Sequence, residues 1–237
     1  MWYKELFDFS EKYILKISVL FLLLLVAGNM NAQGNMRLPL KEGYVHNPTI
    51  QIDGLMIEPV NLYIQSRPWT TQSAHVQLEM KIQDRTDSYQ TFLCYYEENN
   101  DQFKSNFPKG IGSHLFSLDV CEDGIDLLID TLQLGDTFTF DSKSKKGVAI
   151  GGLTITYDSG YSGNNVNPDG SYAGCTVCHL LKLSDGSDED IVTFMYDTDD
   201  GDEEIVDTKV WKGFKIELIR SMDDFLTLKV TRPSPVL

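Results

Sequence analysis

Period-two alternation of apolar and polar residues is the feature that most limits the folds open to this chain. Val76, Leu78, Met80 and Ile82 are separated by Gln77, Glu79 and Lys81. Phe214, Ile216 and Leu218 alternate with Lys215 and Glu217, and Leu226, Leu228 and Val230 with Thr227 and Lys229. Successive side chains of an extended strand point to opposite faces, so each run gathers its apolar residues on one side. Sheets buried on one side only are commonly antiparallel. Residues 50–52, 60–64, 137–140 and 153–157 follow the same rule. Residues 91–96 (TFLCYY) and 191–196 (IVTFMY) are apolar on both faces, which predicts central strands.

Turn chemistry supports this reading. Asp53-Gly54, Asp123-Gly124, Asp169-Gly170, Asp185-Gly186 and Asp200-Gly201 are all Asp-Gly pairs, a strong hairpin signal. The last of them predicts a turn joining neighbouring strands at 191–196 and 214–219. After residue 33 no long amphipathic helix stands out. In residues 120–132, Ile125, Leu128 and Ile129 have helical spacing, yet the segment suits a strand equally well. Residues 160–174 (GYSGNNVNPDGSYAG) form the one long loop-like stretch, the kind of segment that carries binding residues on a β scaffold. The expected fold is all-β, an antiparallel β-sandwich or jelly roll.

The opening residues set the compartment. Lys4, Lys12 and Lys16 precede an uncharged run of 11 residues at 17–27 (ISVLFLLLLVA). A membrane span needs about 20 apolar residues, so this run reads as the core of a secretory signal peptide. Gly28, Asn29, Met30, Asn31 and Ala32 are small or polar, and cleavage is expected after Ala32. The Asn31-Ala32-Gln33 ending resembles signal peptides common in the Bacteroidota. No cysteine closely follows the run, which argues against a lipid-anchored lipoprotein. Residues 1–32 are thus read as a leader helix and residues 33–237 as a single domain, exported to the periplasm or beyond and not membrane-spanning after cleavage. That domain has 237 − 32 = 205 residues, enough to bury a core without metals or disulfides.

Net charge narrows the partners. The chain carries −15, and the leader removes three lysines and three acids, so the domain keeps −15. Phosphate backbones and anionic lipid surfaces are disfavoured. The charge is uneven: residues 185–207 hold 11 acids and no Lys or Arg.

Cys175-Thr176-Val177-Cys178-His179 is the sharpest motif. C-x-x-C-H is the attachment signature of c-type haem, two thiols for thioethers and a histidine for the iron. The surrounding SYAGCTVCH resembles the attachment region of c-type cytochromes over about ten residues. Export equally allows disulfides. Cys94, Cys121, Cys175 and Cys178 permit three connectivities, the plainest being Cys94–Cys121 with a tight Cys175–Cys178 loop. A zinc site would want a fourth ligand, and His46, His75 and His114 are scattered singly. Asp197, Asp199, Asp200 and Asp202 crowd one acidic turn that suits Ca²⁺. Residues 165–170 match the start of a Ca²⁺ loop but lack the closing Glu, since Thr176 stands there. Tyr157, Tyr161 and Tyr172 flank or occupy the long stretch and are candidate ligand-stacking residues. No phosphate loop, dinucleotide fingerprint or nucleophile elbow is present.

The expectation is therefore a non-catalytic exported domain that binds a glycan, a peptide or an envelope protein. A c-type haem protein and a secreted hydrolase are its rivals. No cofactor is required by the first reading, with Ca²⁺ as an option at its acidic turn; haem c would accompany the haem alternative.

Overall fold

In the computed structural model, residues 36–44, 47–66, 74–84, 87–97, 104–106, 108–121, 124–144, 147–198, 207–222 and 225–232 are described. The segment read as a signal peptide lies outside them. Among the described residues there are 18 strands and no helix, so the chain is all-β. No helix among them is long and apolar enough to cross a membrane.

Numbered in chain order, the strands make three sheets. The largest runs β1 (Met36–Pro39), β10 (Gly124–Thr131), β9 (His114–Cys121), β8 (Lys109–Ile111), β11 (Thr137–Asp141), β18 (Phe225–Thr231), β17 (Phe214–Met222), β16 (Asp207–Trp211). A second runs β12 (Val148–Ile150), β13 (Leu153–Val166), β14 (Tyr172–Ser184), β15 (Glu189–Thr198). The third runs β2 (Gly43–Tyr44), β4 (Leu55–Ser66), β5 (Ala74–Gln83), β6 (Ser88–Glu97), β7 (Lys104–Asn106), with β3 (Ile50–Ile52) paired to β4. Neighbouring strands are antiparallel except β8 and β11, which are parallel and share one register pair, Thr139 with Lys109.

Register decides which faces are buried. Paired residues share a face, so Lys109, Phe116 and Thr139 lie on one side of the large sheet. On that side Phe116, Leu118, Ile125, Leu127 and Ile129 pack with Ile57, Leu62, Leu78, Met80, Ile82 and Leu93 of the third sheet. Phe138 and Phe140 point to the other side. There they join Phe214, Ile216, Leu218, Leu226 and Leu228, and meet Leu153, Ile155, Leu181, Leu183 and Phe194 of the second sheet. The large sheet is thus covered on opposite faces at its two ends, and the β8–β11 seam lies where one core gives way to the other. Gly110 allows the close approach there, since a Cβ on it would sit 2.8 Å from the Phe138 ring.

Several expectations change. Where residues 120–132 left helix and strand equally open, 120–121 end β9 and 124–131 form β10. Their Ile125, Leu127 and Ile129 alternate with Asp126, Leu128 and Asp130, and tertiary burial of the first set outweighs the helical spacing. Residues 160–166 and 172–174 are strand rather than loop: β13 and β14 pair out to Val166 with Tyr172, and only residues 167–171 turn. Backbone pairing sustains this hairpin where its side chains would not, and irregularities after Tyr157 and after Asn164 absorb the twist. Residues 191–196 form β15 at the edge of their sheet, not a central strand. β15 and β16, the strands on either side of Asp200-Gly201, belong to different sheets, and the Asp-Gly pair itself lies outside the described residues. The Asp53-Gly54 expectation holds: both residues have positive φ, 47° and 77°, as a type I′ hairpin requires.

Candidate functional site

The β13–β14 hairpin carries most of the sequence-predicted site residues, but it distributes them over two faces. On β14, Cys175 and His179 lie on the inward face with Leu181 and Leu183, and Cys178 lies on the outward face.

His179 is the centre of the inward group. It is buried, and its Nε2 shares a 2.9 Å hydrogen bond with Ser221 Oγ of β17. Tyr157 of β13 brings its hydroxyl to Nδ1 at 3.2 Å, and Tyr196 of β15 brings its own to Nε2 at 3.5 Å. Both phenol rings lie 6.0 Å from the imidazole, centroid to centroid. Burial pushes the His179 pKa below its usual value, because the imidazolium would lose its hydration. Burial pushes Tyr196 upward for the corresponding reason. Gly160 makes the arrangement possible: a Cβ there would fall 1.9 Å from the Tyr157 hydroxyl.

The outward face is different in character. Tyr161, Cys178 and Met195 are register partners across β13, β14 and β15. Tyr161 is 64% exposed and Met195 61%, whereas Cys178 between them is fully buried. The neighbouring Cys178 thiol holds the Tyr161 phenol pKa above its usual value. Ile191, two positions along the same face from Thr193, is also exposed. Tyr172 is exposed near the hairpin tip, opposite Val166. Of the three tyrosines, Tyr157 is therefore engaged inward with His179, and only Tyr161 and Tyr172 present large exposed surface.

These positions do not fit a covalently attached haem. Both thiols would have to converge on one macrocycle, but an extended strand sends Cys175 and Cys178 to opposite faces. Both ring nitrogens of His179 are already hydrogen-bonded. The expected disulfides are not formed either: no pair of the four cysteines is bonded. Residues three apart on a strand are separated by about 10 Å, beyond the Cα reach of a disulfide. Cys94 stands on β6 of the third sheet, where burial raises its pKa, and Cys121 ends β9 of the large sheet.

Asp199, Asp200 and Asp202 lie outside the described residues, and Asp197 is paired with Thr176 on β15. Among the described residues no group of three or more His, Cys, Asp or Glu could hold a metal ion. The Ca²⁺-loop-like residues form the hairpin tip. Asp169 Oδ1 accepts hydrogen bonds from Ser171 N at 2.9 Å and Ser171 Oγ at 2.6 Å, which hold its pKa below the usual carboxylate range. Asn165 Nδ2 donates to Thr176 Oγ1 at 2.9 Å.

Sequence reasoning missed two groups. Ser221 and Tyr196 sit on strands remote from His179 in the chain, and nothing local marks them. The second group is a buried polar cluster around Lys109, at the seam of the large sheet. Lys109 is 2% exposed, and its Nζ hydrogen-bonds Thr91 Oγ1 of β6 and lies 4.2 Å from the Phe225 ring centroid. Thr91 Oγ1 donates to Asp141 Oδ2 at 2.9 Å, and Nζ stands 3.9 Å from the same oxygen. Burial brings the Lys109 pKa down to about 8, against the pull of Asp141. Ser144 Oγ donates to the Tyr89 hydroxyl at 3.2 Å beside the cluster, and burial takes Tyr89 up to about 12. The one available signal was Lys109 itself, a lysine that opens the short Lys-Gly-Ile strand β8.

The fold and these clusters define an all-β protein with a projecting hairpin and two polar knots in its interior. Comparison with protein-family models, with curated proteins and with solved structures gives no match.

Proposed function

We propose that this chain is an exported, non-catalytic β-sandwich domain of the periplasm or cell exterior that binds a glycan, a peptide or an envelope surface protein. The reading of the leader as a signal peptide supports export. The two apolar cores on opposite faces of one large sheet support the sandwich type of packing. The observation that carries the binding reading is the outward face of β13–β15. Tyr161 and Met195 stand largely exposed on either side of Cys178, with Ile191 farther along and Thr193 between Met195 and Ile191. A sheet face with an exposed aromatic, a flexible thioether and hydroxyls suits a sugar ring or an extended peptide.

The test is an array of glycans and peptides probed with the exported domain, followed by titration of any hit against Tyr161→Ala and Met195→Ala. Loss of one aromatic contact of about 1.4 kcal/mol weakens binding about tenfold. A hit whose affinity both variants leave unchanged places the binding surface elsewhere. An array without hits removes the glycan and peptide readings.

A second reading, a secreted hydrolase, rests on the 2.9 Å contact of Ser221 Oγ with His179 Nε2, the spacing of a nucleophile and its base. It ranks second because the group on Nδ1 is the Tyr157 phenol and not a carboxylate. An imidazolium formed by proton transfer would have no charged partner there. Covalent labelling of Ser221 by a fluorophosphonate, lost in His179→Gln, would raise this reading to first place.

A further inference from the structure

We propose that Lys109 and Asp141 are joined by a side-chain amide, an isopeptide bond that the protein forms by itself across the β8–β11 seam. This inference stands independently of the binding reading above.

Position comes first. β8 and β11 share a single register pair, Thr139 with Lys109. Beyond it the strands are held by Thr139 N and Oγ1 donating to Pro108 O at 2.7 and 2.9 Å. This short parallel joint connects the two halves of the large sheet. Lys109 and Asp141 flank it on the same face, with side chains 2% and 5% exposed. A covalent link there would close the seam.

The surroundings supply what amide formation needs. Lys109 Nζ donates to Thr91 Oγ1, and Thr91 Oγ1 donates to Asp141 Oδ2. A proton passed along this relay turns the ammonium into an amine and the carboxylate into a carboxylic acid. Burial penalises the ammonium and lowers the Lys109 pKa, which reduces the cost of forming the free amine. The amine lone pair then adds to Asp141 Cγ, forming the C–N bond. The charge that develops on Oδ1 meets the Lys143 backbone N–H, which already donates to that oxygen at 2.9 Å. The tetrahedral centre expels Oδ2 as water, which carries the relayed proton and one proton from the nitrogen. Ammonium plus carboxylate gives amide plus water, and nothing is oxidised or reduced. The Phe225 ring, 4.2 Å from Nζ, shields the amine from solvent. Nζ stands 3.9 Å from Oδ2, and the reaction requires side-chain rotation that brings Cγ itself to within about 3–3.5 Å of the amine.

The test is mass spectrometry of the full-length chain and of its protease digest after unfolding. The expected product is a branched peptide that joins the segments bearing Lys109 and Asp141 and weighs one water less than their sum. Lys109→Arg and Asp141→Ala chains are expected to yield only linear peptides. Thr91→Val keeps both reacting groups but cuts the relay, so freshly purified chain is expected to remain largely unlinked. A fully linked Thr91→Val chain would overturn the relay. A wild-type digest in which Lys109 and Asp141 occur on separate linear peptides, with the Lys109 amine open to acetylation after unfolding, overturns the bond itself. The wild-type measurement decides the matter even if a variant fails to fold.

Discussion

Gly160→Ala isolates the contact on which the inward cluster depends. Gly160 lacks a positive φ, so alanine suits its backbone, and the whole penalty comes from the side chain. The new Cβ would lie 1.9 Å from the Tyr157 hydroxyl and 3.2 Å from both Tyr157 Cζ and the Cys178 carbonyl. Only the hydroxyl contact is impossible, and the phenol must swing away from His179. That loses a hydrogen bond worth about 1 kcal/mol and forces Tyr157 off its rotamer at about 1 kcal/mol more. Restricting the unfolded chain returns about 0.5 kcal/mol, so the net cost is about 1.5 kcal/mol. For a domain of this size that lowers Tm by about 5 °C. Tyr157→Phe alone costs about 1 kcal/mol. In the Tyr157→Phe background the clash is gone, and Gly160→Ala should fall within about 0.5 kcal/mol of neutral. Urea unfolding of the four proteins measures the coupling. If Gly160→Ala costs as much in the Tyr157→Phe background as in the native one, the clash argument is refuted.

Three further outcomes follow from the same structure. The folded-state pKa of His179 lies below its unfolded value of about 6.5, so its contribution to stability is complete above that pH and is lost as pH falls through 6.5 toward the lower folded value. The drop in urea midpoint between pH 7.5 and 5.5 should therefore be smaller in His179→Gln, and an identical drop in both proteins would refute the assignment. Phe194→Ala, fully buried on β15, should cost about 3–5 kcal/mol, while Met195→Ala beside it should stay within about 0.5 kcal/mol. Equal costs in denaturant titration would mean that β15 is turned differently. Gly147 has φ 70° and its Cβ position lies 2.3 Å from the Ile155 carbonyl oxygen, so Gly147→Ala should destabilise more than Gly213→Ala, where only φ 78° opposes the change. Thermal unfolding of the two variants ranks them.

Much of the local architecture was legible because alternation and turn chemistry act over a few residues. The runs at 76–82, 214–218 and 226–230 became β5, β17 and β18, each with its apolar set buried. Asp53-Gly54 became a hairpin turn. Where local signals were mixed, the sequence either left the outcome open or pointed the wrong way. The helical spacing of Ile125, Leu128 and Ile129 competed with an alternation that only packing against Leu78 and Met80 could favour. The glycines and asparagines of 160–174 hid a hairpin whose ladder relies on backbone groups common to every sequence.

By itself, the chain's sequence determined that it would form strands, where many of them turn, and that it carries a strongly acidic surface. Tertiary structure alone decided which faces meet. It sent Cys175 and Cys178 to opposite sides of one strand, so that a motif compact in sequence is divided in space. It brought Ser221 to His179 across 42 positions and Asp141 to Thr91 across 50. Pairing and layering are set by the burial of apolar area summed over distant strands, and no window of a few residues contains that sum.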